Sequence, residues 1–182
     1  MIVSFYTENW YCPHHAERMR KLLDQFKIPH DIQFLKGRGR WMDNTRIKAA
    51  FIYEMLHTYK RFLWVDIDSE IVDNPFPQIM SNFTGDLLLR RHSTLNDRLY
   101  HVSVMGWTSN DTTKRLCKEW IQEGEEHVGT DELSFDLAIK KFNQPLSIHL
   151  LDPMYHRLPK EDVKNPCITI GLSIDPTKRS KP

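Results

Sequence analysis

The stretch Arg61-Phe62-Leu63-Trp64-Val65-Asp66-Ile67-Asp68-Ser69-Glu70 runs from a nearly unbroken apolar segment straight into two carboxylates two residues apart. A run this short and apolar on both faces predicts a central parallel strand covered by helices on each side. Side chains alternate along a strand, so Asp66 and Asp68 are expected on one side and Ile67 on the other. Two carboxylates aimed together at the end of a buried strand repel each other and are costly to desolvate. A divalent cation with oxygen ligands offsets that cost most directly. The alternative is that both acids sit in a solvated turn after the strand, where Asp is common.

The flanking sequence supports an α/β architecture. Ile2 to Tyr6 reads as a first strand. Pro13 suits the first turn of a helix, and Ala16, Met19, Leu22, Leu23 and Phe26 follow at helical spacing. Asp31 to Leu35 alternates as a second strand, which makes a β-α-β unit and a parallel sheet. The loop Lys36-Gly37-Arg38-Gly39-Arg40-Trp41 is either a solvated connection or an anion- or acceptor-contacting loop at the mouth of a site. The next helix is expected over 45–59, with Asn44 as N-cap and Lys48 in its first turn. Ligands of open α/β sheets bind outside the carboxyl ends of the strands. Lys48 and the pair Asp66 and Asp68 share that edge, although Lys48 also reads as an ordinary surface lysine.

Asp73-Asn74-Pro75-Phe76-Pro77 predicts a turn, Asp86 to Arg90 a strand, 93–99 a polar loop, and His101 to Met105 a strand closed by Gly106-Trp107. Asn110 or Asp111 caps a helix bearing Leu116, Cys117, Trp120 and Ile121, with a break at Gly124. Thr130 caps another, whose first turn carries Asp131 and Glu132, acids that suit the helix dipole. Leu146 to Leu150 is a further strand. From Pro159 the chain is proline-punctuated and ends basic at Lys178, Arg179 and Lys181. It reads as one domain over 1–158, followed by a mobile tail or lid over 159–182 with a short strand at Cys167 to Ile170.

Composition excludes several classes. With net charge +1 and 27% charged residues, nothing points to a nucleic-acid or membrane surface. No run reaches the length of a transmembrane helix, and the first residues read as a strand and not a signal peptide. Cys12, Cys117 and Cys167 form no disulfide framework or metal spacing, which suits a reducing, cytoplasmic setting. The triplets beginning at Asn82 and Asn110 fit the glycosylation pattern by chance in such a setting.

In order along the chain come a helix with Lys48 in its first turn, the strand ending Asp66-Ile67-Asp68, and Asn74-Pro75. The strand Val102 to Trp107, Trp120 and the helix start Asp131-Glu132 follow. This succession resembles the nucleotide-diphospho-sugar transferases of the GT-A fold, especially the glycogenin-like and lipopolysaccharide-galactosyltransferase-like group. The resemblance spans roughly residues 2–155 and rests on the order of short motifs. It implies a single Rossmann-like GT-A domain with a mostly parallel central sheet flanked by helices. It also implies a hexosyltransferase that moves a sugar from a UDP- or GDP-sugar to a glycan, lipid or protein acceptor. By the resemblance, Asp66 and Asp68 hold Mn²⁺ or Mg²⁺ against the donor diphosphate, with Ile67 between them. Lys48 contacts that diphosphate, Thr7 and Glu8 lie near base and ribose, and Asp131 and Glu132 face sugar or acceptor. The ion neutralises charge on the departing diphosphate, and a nearby carboxylate serves an oxocarbenium-like centre.

Two departures bear on the metal. The His-Gly pair that supplies a third ligand in such enzymes is replaced by Cys167-Ile168-Thr169-Ile170-Gly171, so water, His149 or His156 would take that place. The Asn-x-Gly type of segment is replaced by 101–106. Two other readings remain open: a haloacid-dehalogenase-like phosphatase with Asp66 as nucleophile, and a non-catalytic binding module.

Overall fold

Ile2–Tyr6 (β1), Pro13–Gln25 (α1) and His30–Phe34 (β2) form the expected β-α-β unit, with β1 and β2 paired in parallel. The computed structural model describes residues 1–8, 13–92, 98–158 and 161–169. Next come a short helix, Trp41–Thr45 (α2), then Ile47–Thr58 (α3) and the strand Arg61–Val65 (β3), parallel to β1. Glu70–Ile71 (β4), Phe76–Asn82 (α4), Leu87–Arg91 (β5) and Tyr100–Thr108 (β6) follow. The order continues with Asp111–Glu126 (α5), Asp131–Lys141 (α6), Ile148–Leu150 (β7), His156–Arg157 (β8) and Ile168–Thr169 (β9).

The main sheet is six-stranded in the order β2-β1-β3-β6-β5-β7. β6 runs antiparallel to both neighbours, and every other pairing is parallel. The sheet is therefore mostly parallel and flanked by helices, as expected. β3 explains why its sequence is apolar throughout. Phe62 and Trp64 face a core made with α3, α5 and α6, where Phe51, Met55, Trp120 and Phe135 are buried. Leu63 and Val65 face a second core with Met19 and Leu23 of α1 and Ile79 of α4. Burying a side chain of this size contributes roughly 1.5–3 kcal/mol, so both faces of β3 are strongly specified.

The strand nevertheless stops earlier than the alternation argument assumes. β3 ends at Val65, and Asp66 makes one more bond across the sheet, its N–H donating to Ser103 O at 2.8 Å. Ser69 N then donates to Asp66 O at 2.9 Å and closes a turn. Asp66 and Asp68 thus lie at a turn, as in the alternative above, but the turn is not a solvated one, since the Asp66 side chain is 25% exposed and bound to Lys48; turn geometry sets their direction. Ile67 between them is 2% exposed and packs into the second core. Burial of that one apolar residue anchors the turn.

Three further expectations change. Asn44 is not the cap of α3: it lies inside α2, and its Oδ1 accepts from Arg38 N at 2.6 Å. Gly124 does not break α5, which continues to Glu126 with α6 packed against it. The 73–77 turn leads directly into α4, with Pro77 in its first positions, where an N–H has no helical partner to lose.

Part of the stretch set apart as a tail is built into a small three-stranded sheet, β4-β9-β8. Ile168 of β9 is 1% exposed, and Glu161 accepts a forked pair of bonds from Arg90 at 2.6 and 2.7 Å. Cys12, residues 93–97, Pro159, Ile170, Gly171 and the basic end with Lys178, Arg179 and Lys181 lie outside the described residues. Among the described residues no helix is long and apolar enough to cross a membrane.

Candidate active site

The carboxyl ends of β1 and β3, the start of antiparallel β6, and the first turns of α3 and α6 meet at one edge of the sheet. Lys48 sits at their centre and is only 5% exposed. Its Nζ lies 2.7 Å from Asp66 Oδ1 and 2.5 Å from Asp131 Oδ2, and donates to Val102 O at 3.3 Å. It also stands 5.3 Å from the Trp64 ring centre, a cation–π distance. Trp64 Nε1 donates to Asp66 Oδ1 at 2.9 Å. The indole thus packs in the core and orients the first aspartate. Lys48 and Trp64 both engage Oδ1 of Asp66, and Oδ2 takes part in neither contact.

The electrostatics are those of too many carboxylates for one cation. Burial pushes the Asp66 carboxyl up to about 7; Lys48 opposes that rise, while the charges of Asp68 and Asp131 add to it. Asp68 is thereby close enough to Asp66 for their charges to repel. Arg18 of α1 holds the backbone of the turn, Nη2 donating to Asp68 O and Ser69 O, each at 3.3 Å.

Thr7 and Glu8 follow β1 at the same edge. Thr7 is fully buried, and its hydroxyl has no hydrogen-bond partner among the described residues. Glu8 is exposed and pins the glycine loop, its Oε2 accepting from Gly37 N at 2.8 Å. Its own N–H and that of Gly37 hold the Glu8 carboxyl below the usual range. A Cβ on Gly37 would come within 3.2 Å of Glu8 Oε2 and 3.3 Å of Asn44 Oδ1, so a larger residue there would push both side chains aside by a few tenths of an ångström. Phe5, Thr45, Lys48, Trp64, Asp66 and Ile67 line a narrow recess beside the pair.

Glu132, adjacent to Asp131, points into a different group. His92 Nε2 is 3.0 Å from its Oε1, Arg98 Nη1 donates to the same oxygen at 2.6 Å, and His101 Nε2 is 3.7 Å from Oε2. Asp136, one turn further along α6, accepts from Leu99 N at 3.0 Å and fixes the approach to β6. A register shift brings these groups together: Leu89 pairs with Met105, yet Arg90 pairs with His101. The extra residues of β6 turn toward β3, and the Val102 carbonyl turns to Lys48. Such bulges re-aim side chains beside sites.

His149 and His156 do not join the aspartates. His149 is exposed on edge strand β7, three strands from β3 and so roughly 14 Å away along the sheet. His156 is fully buried, with Nε2 3.1 Å from Ser103 Oγ, and burial together with Arg90 holds its pKa down to about 3. His101 is likewise pushed down to about 2, chiefly by burial. The sequence reading missed Arg18, Trp64, His92 and Arg98 as site residues. Trp64 carried the one available signal, an indole one residue before the end of an apolar strand. Only the bulged register brings His92 to His101.

No protein-family model matches the chain, and no curated protein matches it in sequence. Solved structures do match it in shape. A glycosyltransferase involved in glycosylation of the major capsid of PBCV-1 superposes with a TM-score of 0.68 at 10% identity, covering 93% of this chain and 92% of its own. The galactosyltransferase LgtC, solved with donor and acceptor sugar analogues, gives 0.57 at 9% identity, covering 95% of this chain and 87% of its own. The glycosyltransferase GlyE of Streptococcus pneumoniae TIGR4 gives 0.62 at 12% identity, covering 96% of this chain, which spans 55% of GlyE. The chain therefore has the Rossmann-like GT-A fold of glycosyltransferases, with Lys48, Asp66 and Asp131 joined at the carboxyl edge of its central sheet.

Proposed function

We propose that this chain is a metal-dependent glycosyltransferase that takes a UDP- or GDP-sugar as donor. The observation that carries the reading is Lys48 clamped between Asp66 and Asp131, with Asp68 adjacent, at the edge where α/β sheets bind nucleotides. The residues fit a divalent ion of the Mn²⁺ or Mg²⁺ class. Its preferred ligands are carboxylate oxygens, and Asp66 is pushed up to about 7 chiefly by burial, with the charges of Asp68 and Asp131 adding to the rise, a cost that a bound cation offsets. Asp66 and Asp68 would hold that ion, which supplies neutralisation of charge on the departing diphosphate.

The chain's own residues do the rest. Lys48 fixes Asp66 and Asp131 relative to each other and lends positive charge to the diphosphate side. Trp64 keeps Asp66 from rotating, and buried Ile67 holds the turn. Thr7 and Glu8 border the base and ribose. Asp131 faces the sugar and the acceptor, where an ionised carboxylate stabilises positive charge at the anomeric carbon or takes the acceptor proton, whereas Glu132, expected beside it, is turned to His92, Arg98 and His101. We assign this work to residues 1–158, with 159–182 as an accessory segment tied on through Glu161 and β9. The fold likeness favours this reading over the phosphatase with Asp66 as nucleophile.

Calorimetry with Mn²⁺ and a panel of UDP-, GDP- and CDP-sugars is the test. Binding of one donor class is expected, with loss of at least about 100-fold, some 2.7 kcal/mol, in Asp66→Asn/Asp68→Asn. Absence of binding at millimolar ligand overturns the proposal. Turnover of a generic phosphate ester that depends on Asp66 supports the phosphatase instead, and a variant that changes neither assay supports a binding module.

A further inference from the structure

From the meeting of His92, His101 and Glu132 we propose a second, transition-metal site of the Zn²⁺ class, separate from the aspartate pair. These three residues are the group of potential metal ligands that the described residues bring together, with ligand atoms all within 4.8 Å of one another. Two imidazoles and one carboxylate suit Zn²⁺ and its neighbours in the first transition row, whereas Mn²⁺ and Mg²⁺ prefer all-oxygen sets. Ligand atoms about 2.0–2.1 Å from a tetrahedral ion stand about 3.3 Å apart. His92 Nε2 lies 3.0 Å from Oε1 and His101 Nε2 3.7 Å from Oε2, one imidazole on each carboxylate oxygen, so gathering one atom from each residue onto an ion requires a small closing movement from within the 4.8 Å limit.

The two histidines are supported differently: His92 Nδ1 has no hydrogen-bond partner among the described residues, whereas His101 is held from its far nitrogen. A ligating imidazole holds its other nitrogen on a fixed partner, which sets the tautomer. His101 Nδ1 lies 2.7 Å from Ser103 Oγ, and that hydroxyl lies 3.1 Å from His156 Nε2. Ser103 N also donates to His101 Nδ1 at 3.3 Å, so Ser103 grips the far nitrogen of the ring and leaves Nε2 turned toward Glu132. The side chains of His92 and Glu132 are 6% and 12% exposed, so the ligands are held by packing and not by solvent. Arg98 is the built-in competitor: its guanidinium sits 2.6 Å from the Glu132 oxygen nearest His92 and is 30% exposed. Occupancy would place a doubly charged ion one residue from Asp131, beside the donor site.

The inference stands independently of the donor-site reading, and its test separates the two. Co²⁺ is titrated into the intact chain while the visible d–d bands of a four- or five-coordinate nitrogen/oxygen site are followed, and Zn²⁺ is titrated by calorimetry. One equivalent of each is expected to bind. Both signals are expected to vanish in His92→Gln and His101→Gln and to persist in Asp66→Asn/Asp68→Asn. Ser103→Ala should weaken Zn²⁺ by roughly 10–100-fold, and Arg98→Gln should strengthen it, a gain that a purely structural role for the cluster would not give. The Ser103 and Arg98 variants keep the test decisive if either histidine variant fails to fold. The proposal is overturned if the wild-type chain shows no stoichiometric band, or if the signal survives both histidine changes. Loss of the signal with Asp66 and Asp68 alone also overturns it.

Discussion

Lys48 shows how a single side chain organises a site. A buried ammonium is costly, and here two carboxylates, a backbone carbonyl and an indole face share that cost. The reverse is true of His101 and His156, which burial holds neutral. His156 carries the clearest consequence. Its folded pKa is about 3, while a histidine in the unfolded chain titrates near 6.5. Between those values the unfolded state binds the extra proton, so stability rises with pH. The contribution is complete above about 6.5 and drains away as the pH falls toward 3. Melting curves between pH 7 and 4 should therefore show a steeper loss for the wild-type chain than for His156→Gln, the flatter slope being the measured quantity.

Among the elements, β6 decides most. Running against its neighbours, it brings its first residues to the edge where the other strands end. Its bulge then divides those residues between Lys48 and the His92, His101 and Glu132 group. Further along, β6 needs Gly106 for close contact with β5. A Cβ there would lie 2.6 Å from Leu88 Cβ and 3.0 Å from the Phe83 ring, inside the second core. Gly106→Ala should cost about 1–3 kcal/mol through overpacking. Urea denaturation should show that loss as a lower midpoint with an unchanged slope. At this scale the sequence was readable wherever an element has one period and one partner. The first β-α-β unit follows directly from residue spacing, and so does a capped start of α5, where the structure chooses Asn110 over Asp111 and adds a reciprocal capping box with Thr113. β4 and β8 were not readable, because two-residue strands carry no period and exist only where β9 supplies a partner.

For the molecule as a whole, the small sheet closes the second core. Arg90 and Glu161 have side chains 6% and 10% exposed, so removing one partner leaves the other charge buried and uncompensated. Glu161→Ala is expected to destabilise the fold by roughly 3 kcal/mol. Limited proteolysis should then cut within 159–169 well before the main sheet. Equal protease resistance in variant and wild type would show that this fork does not hold the segment.

The residues alone determined the doubly covered β3, the helices on its two sides, and an edge bearing Lys48, Asp66 and Asp68. Periodicity and strand polarity are local properties, and they sufficed for that much. Tertiary structure decided how those groups meet. Val65 ends the strand, so a turn anchored by buried Ile67 directs the aspartates. Asp131 reaches Lys48 only because α5 and α6 pack across β6. His92 finds His101 only through a register shift that no spacing along the chain encodes. Contacts between residues tens of positions apart depend on how whole layers stack, and that stacking is the sum of the core's packing and not the property of any one segment.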